Sequence, residues 1–148
     1  MIHAAWRERI ARPVEAVFDY VADLDHEPEW NPDASNVVRT TPGELGLGTV
    51  WEEDVRRGGH FVTTIDGFER PHELSFDARS PRTDARVRFT FAPADDGATV
   101  VSCAVELTSK GLQRLLEPLL AGTIRRRIES SRGPALKRAL EGSAAAGP

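Results

Sequence analysis

The chain has 148 residues, enough for one domain with a sizeable core, since a domain of this size buries roughly 68–70% of its unfolded surface. Nineteen basic against 23 acidic residues leave a net charge of −4, so there is no overall basic field for nucleic acid, and 40% hydrophobic with 28% charged residues excludes disordered and collagen-like chains. No stretch approaches the ~20 apolar residues of a membrane-spanning helix.

The opening Met1-Ile-His-Ala-Ala-Trp-Arg-Glu carries neither a basic and apolar leader nor an Arg/Ser-rich transit pattern, and a cytoplasmic protein is expected. Ile2, Ala4, Trp6 and Ile10 share one parity, opposite His3, Arg7 and Arg9, which predicts a first strand over 2–11. Pro13 at a helix start, Glu15 in the first turn and the stripe Val14, Val17, Phe18, Val21 predict a helix to about Leu24. Pro28 and Pro32 restrict the next segment to a turn or two of helix, and Val37 and Val38 begin a weak second strand.

From Gly48 to Leu107 short alternating runs separated by turn residues predict an antiparallel meander. A three-residue loop at Arg57-Gly58-Gly59 places Val55 opposite Phe61, Glu53 opposite Thr63 and Trp51 opposite Ile65. The turn at Asp95-Asp96-Gly97 places Phe91 opposite Val101, Phe89 opposite Cys103 and Val87 opposite Val105, with Leu74, Phe76 and Ala78 between the hairpins. Leu112, Leu115, Leu116, Leu119, Leu120, Ile124 and Ile128, then Leu136 and Leu140, predict a long C-terminal helix with weak points at Gly122 and Gly133-Pro134. Residues 1–141 are expected as one domain and 142–148 as a frayed tail.

Pro13-Val-Glu-Ala-Val-Phe-Asp-Tyr-Val21, Glu29-Trp-Asn-Pro32, Leu45-Gly-Leu-Gly-Thr-Val-Trp51, Phe68-Glu-Arg-Pro-His-Glu-Leu74 and the leucine-rich helix, in this order, resemble the START-like helix-grip superfamily. That group includes polyketide cyclases and dehydratases, lipid-transport-like proteins and chaperone activators. The resemblance implies an α+β fold: a seven-stranded antiparallel sheet wrapped around a long C-terminal helix, with two short helices after the first strand and a largely apolar cavity between sheet and helix. It implies no single activity, because the scaffold hosts binders and enzymes alike.

Within that frame Trp30, Trp51, Thr63, Ile65, Phe76, Phe89, Phe91, Cys103, Leu116 and Leu120 are the candidate ligand-binding residues, although periodicity alone leaves open whether such side chains line a pocket or fill a core. Glu53 stands mid-strand on the apolar face, where a carboxylate must be solvated, paired or protonated. In a cavity it would be a general acid/base or an anchor for a polar ligand group. His3, His26, His60 and His72 show no metal-binding spacing, so no metal and no cofactor is expected, and Gly46-Leu-Gly48 leads into a strand, not a phosphate-binding helix. The lone Cys103 can form no internal disulfide and reads as a small buried hydrophobe.

Three functions are therefore expected: binding of a hydrophobic small molecule such as a lipid or polyketide-like compound, a polyketide cyclase/dehydratase-like enzyme using Glu53, or an interaction module resembling the chaperone activators. A cavity with a buried Glu53 would favour the enzyme, a sealed apolar cavity the binder, and a packed core the interaction module.

Overall fold

The structure is a computed structural model that describes residues 1–145. Strand β1 (Ile2–Ile10) leads into helix α1 (Val14–Ala22), a 3-10 turn (Leu24–His26) and the one-turn helix α2 (Glu27–Trp30). Strands β2 (Ala34–Arg39), β3 (Val50–Val55), β4 (Gly59–Glu69), β5 (Glu73–Arg79), β6 (Thr83–Pro93) and β7 (Thr99–Ser109) follow, and helix α3 (Gln113–Ala145) closes the fold. The seven strands form one antiparallel sheet in the order β1-β7-β6-β5-β4-β3-β2. Each neighbour from β2 to β7 is the next in sequence, joined by turns of three to five residues except for the ten-residue loop 40–49 between β2 and β3, and β1 docks beside β7 to complete the sheet.

Alternation does what the pleat requires. Ile2, Ala4, Trp6 and Ile10 of β1, Leu74 and Phe76 of β5, and Val101, Cys103 and Val105 of β7 are all buried on one face. The β6–β7 register is as expected, with Phe91 opposite Val101, Phe89 opposite Cys103 and Val87 opposite Val105. The β3–β4 register is not. Glu53 lies opposite Phe61 and Trp51 opposite Thr63, two residues from the expected pairing, because the connection is Arg56-Arg57-Gly58 and closes on Val55 opposite Gly59. Arg57 itself takes the left-handed conformation at φ 68°, and Gly58 is needed for space: a Cβ there would stand 2.7 Å from the Phe61 ring. A shift of two preserves the parity, so the apolar set stays on the inner face.

Helix α1 packs Val17, Phe18 and Val21 against one end of the sheet, with the Phe18 ring edge-on to both Phe68 and Phe91 at 5.2 Å. It ends at Ala22, two residues short of the expected Leu24, where Asp23 turns extended and its side chain caps the 3-10 turn.

Helix α3 is continuous through Gly122 and through Gly133-Pro134, the weak points where a kink or break is expected. Its second half is fastened to β1 so closely that Gly133 has no room for a side chain: a Cβ would lie 2.9 Å from Glu8 Oε2 and 3.1 Å from the Trp6 ring. Leu136 and Leu140 are buried beside it, Lys137 Nζ donates to the Arg9 carbonyl at 2.8 Å, and the Ala11 N–H donates to Glu141 Oε2 at 3.0 Å. Packing of this kind outweighs the one backbone hydrogen bond that Pro134 removes. The helix continues to Ala145, through four residues expected as tail; residues 146–148 of that tail lie outside the described residues.

The first half of α3 behaves differently. Leu112, just before the helix, and Leu115 and Leu119 within it are 75–80% exposed, so the leucine run that reads as core is mostly outside it.

Candidate functional site

Because α3 is held to the sheet mainly by its second half, a cavity of about 340 Å³ remains between the sheet and the middle of the helix. Trp6, Phe61, Phe76 and Phe89 supply aromatic wall from the sheet, Trp30 closes it from α2, and Leu120, Ile124 and Ile128 close it from α3. The rim is formed by Val55 to Gly58 in the β3–β4 turn, Thr83 at the start of β6, and Ser109 and Gln113 between β7 and α3.

Besides the charged Asp33, Arg127 and Arg132 and the arginines of the rim, the wall carries one close group of polar side chains, Glu53, Thr63, Glu27 and Asn31. Glu53 is buried, 5% exposed, and Thr63 Oγ1 donates to its Oε1 at 3.3 Å. The carboxyl of Glu27 on α2 lies within hydrogen-bonding reach of Glu53 and is itself buried, with Asn31 Nδ2 donating to its Oε2 at 3.4 Å. The remaining oxygens, Glu53 Oε2 and Glu27 Oε1, have no donor among the described residues. A proton on Glu53 supplies one. Burial, followed by the neighbouring Glu27 carboxyl, pushes Glu53 well above the usual carboxylate range, so at neutral pH the pair holds a proton. The indole Nε1 of Trp30 is likewise buried without an acceptor among the described residues. One side of the cavity therefore presents a neutral carboxyl, a second carboxyl and an N–H donor inside aromatic walls. That combination can hold a polar ligand group, or give and take protons, where little water competes.

The structure brings seven of the sequence-predicted residues to this cavity: Glu53, Trp30, Thr63, Phe76, Phe89, Cys103 and Leu120. Four others are elsewhere. Trp51, Ile65 and Phe91 face the same side of the sheet but lie in packed core away from the cavity, Trp51 with its Nε1 donating to Asp25 Oδ1 at 3.2 Å and Phe91 stacked against Phe89 beside Phe18. Parity sets the face of a strand residue, whereas position along the strand decides whether a helix or a void stands above it. Leu116 is half-exposed and is not on the cavity wall, because α3 is lifted there. The Cys103 thiol is pushed well up by burial, consistent with an inert apolar group.

Sequence reasoning missed Glu27, and it reads the cations of α3, Arg127 and Arg132 among them, as a solvated face paired with Glu117 and Glu129; the structure pairs these two with Asp33 instead. Glu27 precedes Trp30 by three residues, so on a helix the two share a face, and placing Trp30 over the pocket places Glu27 there too. Asp33 accepts from Arg127 Nη2 at 2.6 Å and Arg132 Nη2 at 3.3 Å, clamping the middle of α3 to the segment after α2. These three residues also line the cavity. Their pairing has no signature in the sequence, since 94 residues separate Asp33 from Arg127.

The four histidines lie outside the cavity. His60 sits on the exposed face of β4 between Glu52 and Asp54, 2.8 Å from each, and the two carboxylates raise its pKa.

A curved antiparallel sheet gripping a C-terminal helix over a cavity defines the START-like helix-grip class. The family described as "Polyketide cyclase / dehydrase and lipid transport" matches residues 1–141, and the chain belongs to it. A START superfamily protein from Mycobacterium smegmatis superposes with a TM-score of 0.70 at 17% identity, covering 97% of this chain and 99% of that one. The Zhui aromatase/cyclase from Streptomyces gives 0.74 at 13% identity, covering 97% and 93%, and a protein from Thermus thermophilus gives 0.73 at 14%, covering 99% of each. At these identities the likeness is one of fold. A search of the curated proteins returns no match.

Proposed function

We propose that the chain binds a hydrophobic small molecule, lipid- or polyketide-like, with its apolar body against the aromatic walls and a polar end against Glu53, Glu27 and Trp30. The observation that carries this reading is the pair of buried carboxyls set beside the aromatic and aliphatic walls of the cavity. An occupant with a hydroxyl or carbonyl there would use the donor that Trp30 leaves unspent and the oxygens that Glu27 and Glu53 turn to each other. Native mass spectrometry of protein purified from its own host, followed by denaturing extraction, tests it. A retained apolar molecule is the expected result; protein that arrives empty and shows no heat with a broad panel of apolar ligands overturns it.

A second reading, a cyclase/dehydratase-like enzyme, is the one that a cavity with a buried Glu53 is expected to favour, and it draws support from the same pair. Glu53 protonated beside Glu27 is an acid and a base in one site: Glu27 can take a proton from carbon while Glu53 protonates the departing hydroxyl, which leaves as water. Turnover of a cyclisable poly-β-ketone that Glu53→Gln abolishes while binding persists is the expected result; unchanged turnover in that variant overturns it. The third expectation, an interaction module with a packed core, gains nothing from a cavity in this position.

A further inference from the structure

The rim of the cavity has an unusual surface. Three turns meet there and are tied together: Ser80 Oγ donates to the Gly58 carbonyl at 3.1 Å, Lys110 Nζ donates to the Ser80 carbonyl at 2.9 Å, and the Lys110 N–H donates to the Arg82 carbonyl at 2.8 Å. Arg56, Arg57, Arg82 and Arg114 are exposed on these turns and on the first turn of α3, and among the described residues none of them forms an ion pair. The nearby carboxylates are already engaged, Asp84 with Lys110 at 2.6 Å and Glu117 with the amino group of Met1 at 2.7 Å. A protein of net charge −4 thus carries a patch of unpaired cations at one end.

Beside that patch stands the apolar stripe. Leu112, Leu115 and Leu119, at i, i+3, i+7 spacing, are 80, 75 and 79% exposed. Exposed leucines in such a row mark a contact surface. A second copy of the chain related by a two-fold axis would bring the same unpaired guanidinium groups together, a repulsive arrangement. A surface that is negatively charged outside and apolar within satisfies both halves: the cations meet head groups and the leucines enter the acyl boundary. We propose that the rim formed by the β3–β4 turn, the β5–β6 turn and the start of α3 docks on an anionic lipid bilayer, with the cavity mouth turned towards it.

This docking surface is independent of what the cavity holds. The test is co-sedimentation of the full chain with vesicles of phosphatidylcholine alone and of equimolar phosphatidylcholine and phosphatidylglycerol. Binding to the anionic vesicles only, weakened by salt, is expected. Each cation near such a surface contributes about fivefold, so Arg82→Gln with Arg114→Gln weakens binding roughly 25-fold. Leu112→Ser, Leu115→Ser and Leu119→Ser together abolish it while the circular dichroism spectrum is retained, and Leu115→Trp shifts its emission to the blue on anionic vesicles. No binding to the anionic vesicles, or binding indifferent to these substitutions, overturns the proposal. A dimer in sedimentation velocity that the serine variants disperse, without vesicle binding, overturns it in favour of a self-interface. Filling the cavity with Ala85→Phe leaves vesicle binding unchanged, so a failure of ligand binding and a failure of docking are read separately.

Discussion

Thr63 donates to Glu53 along a diagonal of the β3–β4 ladder, for the residue directly opposite Glu53 is Phe61 and the one opposite Thr63 is Trp51. The diagonal leaves the Glu53 carboxyl between aromatic side chains and within reach of α2, where Glu27 waits. Had the strands paired two residues over, the hydroxyl would sit squarely across from the carboxyl. The geometry of the acid pair is therefore a property of the Arg56-Arg57-Gly58 connection as much as of the glutamates.

Protonated Glu53 makes stability depend on pH with a definite sign. Its folded-state pKa is raised from 4.5 to about 10, so the folded chain holds a proton that the unfolded chain releases across that interval. The contribution is fully present below the unfolded value and is lost as pH rises towards the folded one. Glu53→Gln removes the titration, and the excess of its melting temperature over that of the unsubstituted chain should grow by on the order of ten degrees from pH ~5 to pH ~9, each 1 kcal/mol corresponding to about 2–4 °C or somewhat more at this size. Parallel pH profiles for the two proteins would refute the buried-acid assignment.

Glu27→Gln separates the partners. With the neighbouring carboxyl made neutral, one of the causes raising Glu53 disappears, and the Glu53 titration, followed by carbon NMR of the side-chain carboxyl, should move to lower pH without leaving the raised range, because burial remains the larger cause. An unmoved midpoint would mean that the two groups do not communicate.

Room in the cavity can be measured by filling it. Ala85 is on the wall and 8% exposed. A phenylalanine there should cost less than the ~1–3 kcal/mol typical of overpacking a full core, and should weaken binding of an apolar fluorescent probe by at least about tenfold. A large loss of stability in chemical denaturation would show that no such space exists.

The two halves of α3 should respond oppositely to the same substitution. Leu136, fully buried, should lose about 2–5 kcal/mol on change to Ala, whereas Leu115→Ala should stay within about 0.5 kcal/mol. Equal losses in denaturant titrations would contradict a helix held by its second half.

Much of this architecture is written in periodicity. Alternation at Phe89, Phe91, Val101 and Cys103 fixes face and, with Asp95-Asp96-Gly97, register, since the turn has only one comfortable left-handed arrangement: Asp96 at φ 59° and Gly97 at φ 72°. At the other hairpin Arg57, a residue without glycine's freedom, takes the left-handed position, and reasoning from Gly58 and Gly59 lands two residues away. Glu53 is legible as an anomaly because a carboxylate breaks an apolar alternation; Glu27 is legible only at one remove, through the i, i+3 spacing that puts it on the face of Trp30. The leucine run shows its helical period plainly, yet period cannot tell a stripe that meets the sheet from one that meets solvent.

Gly133 sets how closely α3 can approach β1. Pressed against Trp6 and Glu8, and held from Arg127 onward by Asp33, the helix is clamped at one end like a cantilever whose free arm roofs the cavity. On the proposed binding function, an arm held this way is expected to yield before the strands separate, so that exchange of a ligand would depend on helix stiffness. Amide hydrogen exchange along α3 should accordingly fall into two regimes, fast before Arg127 and slow beyond it, with the step at the clamp.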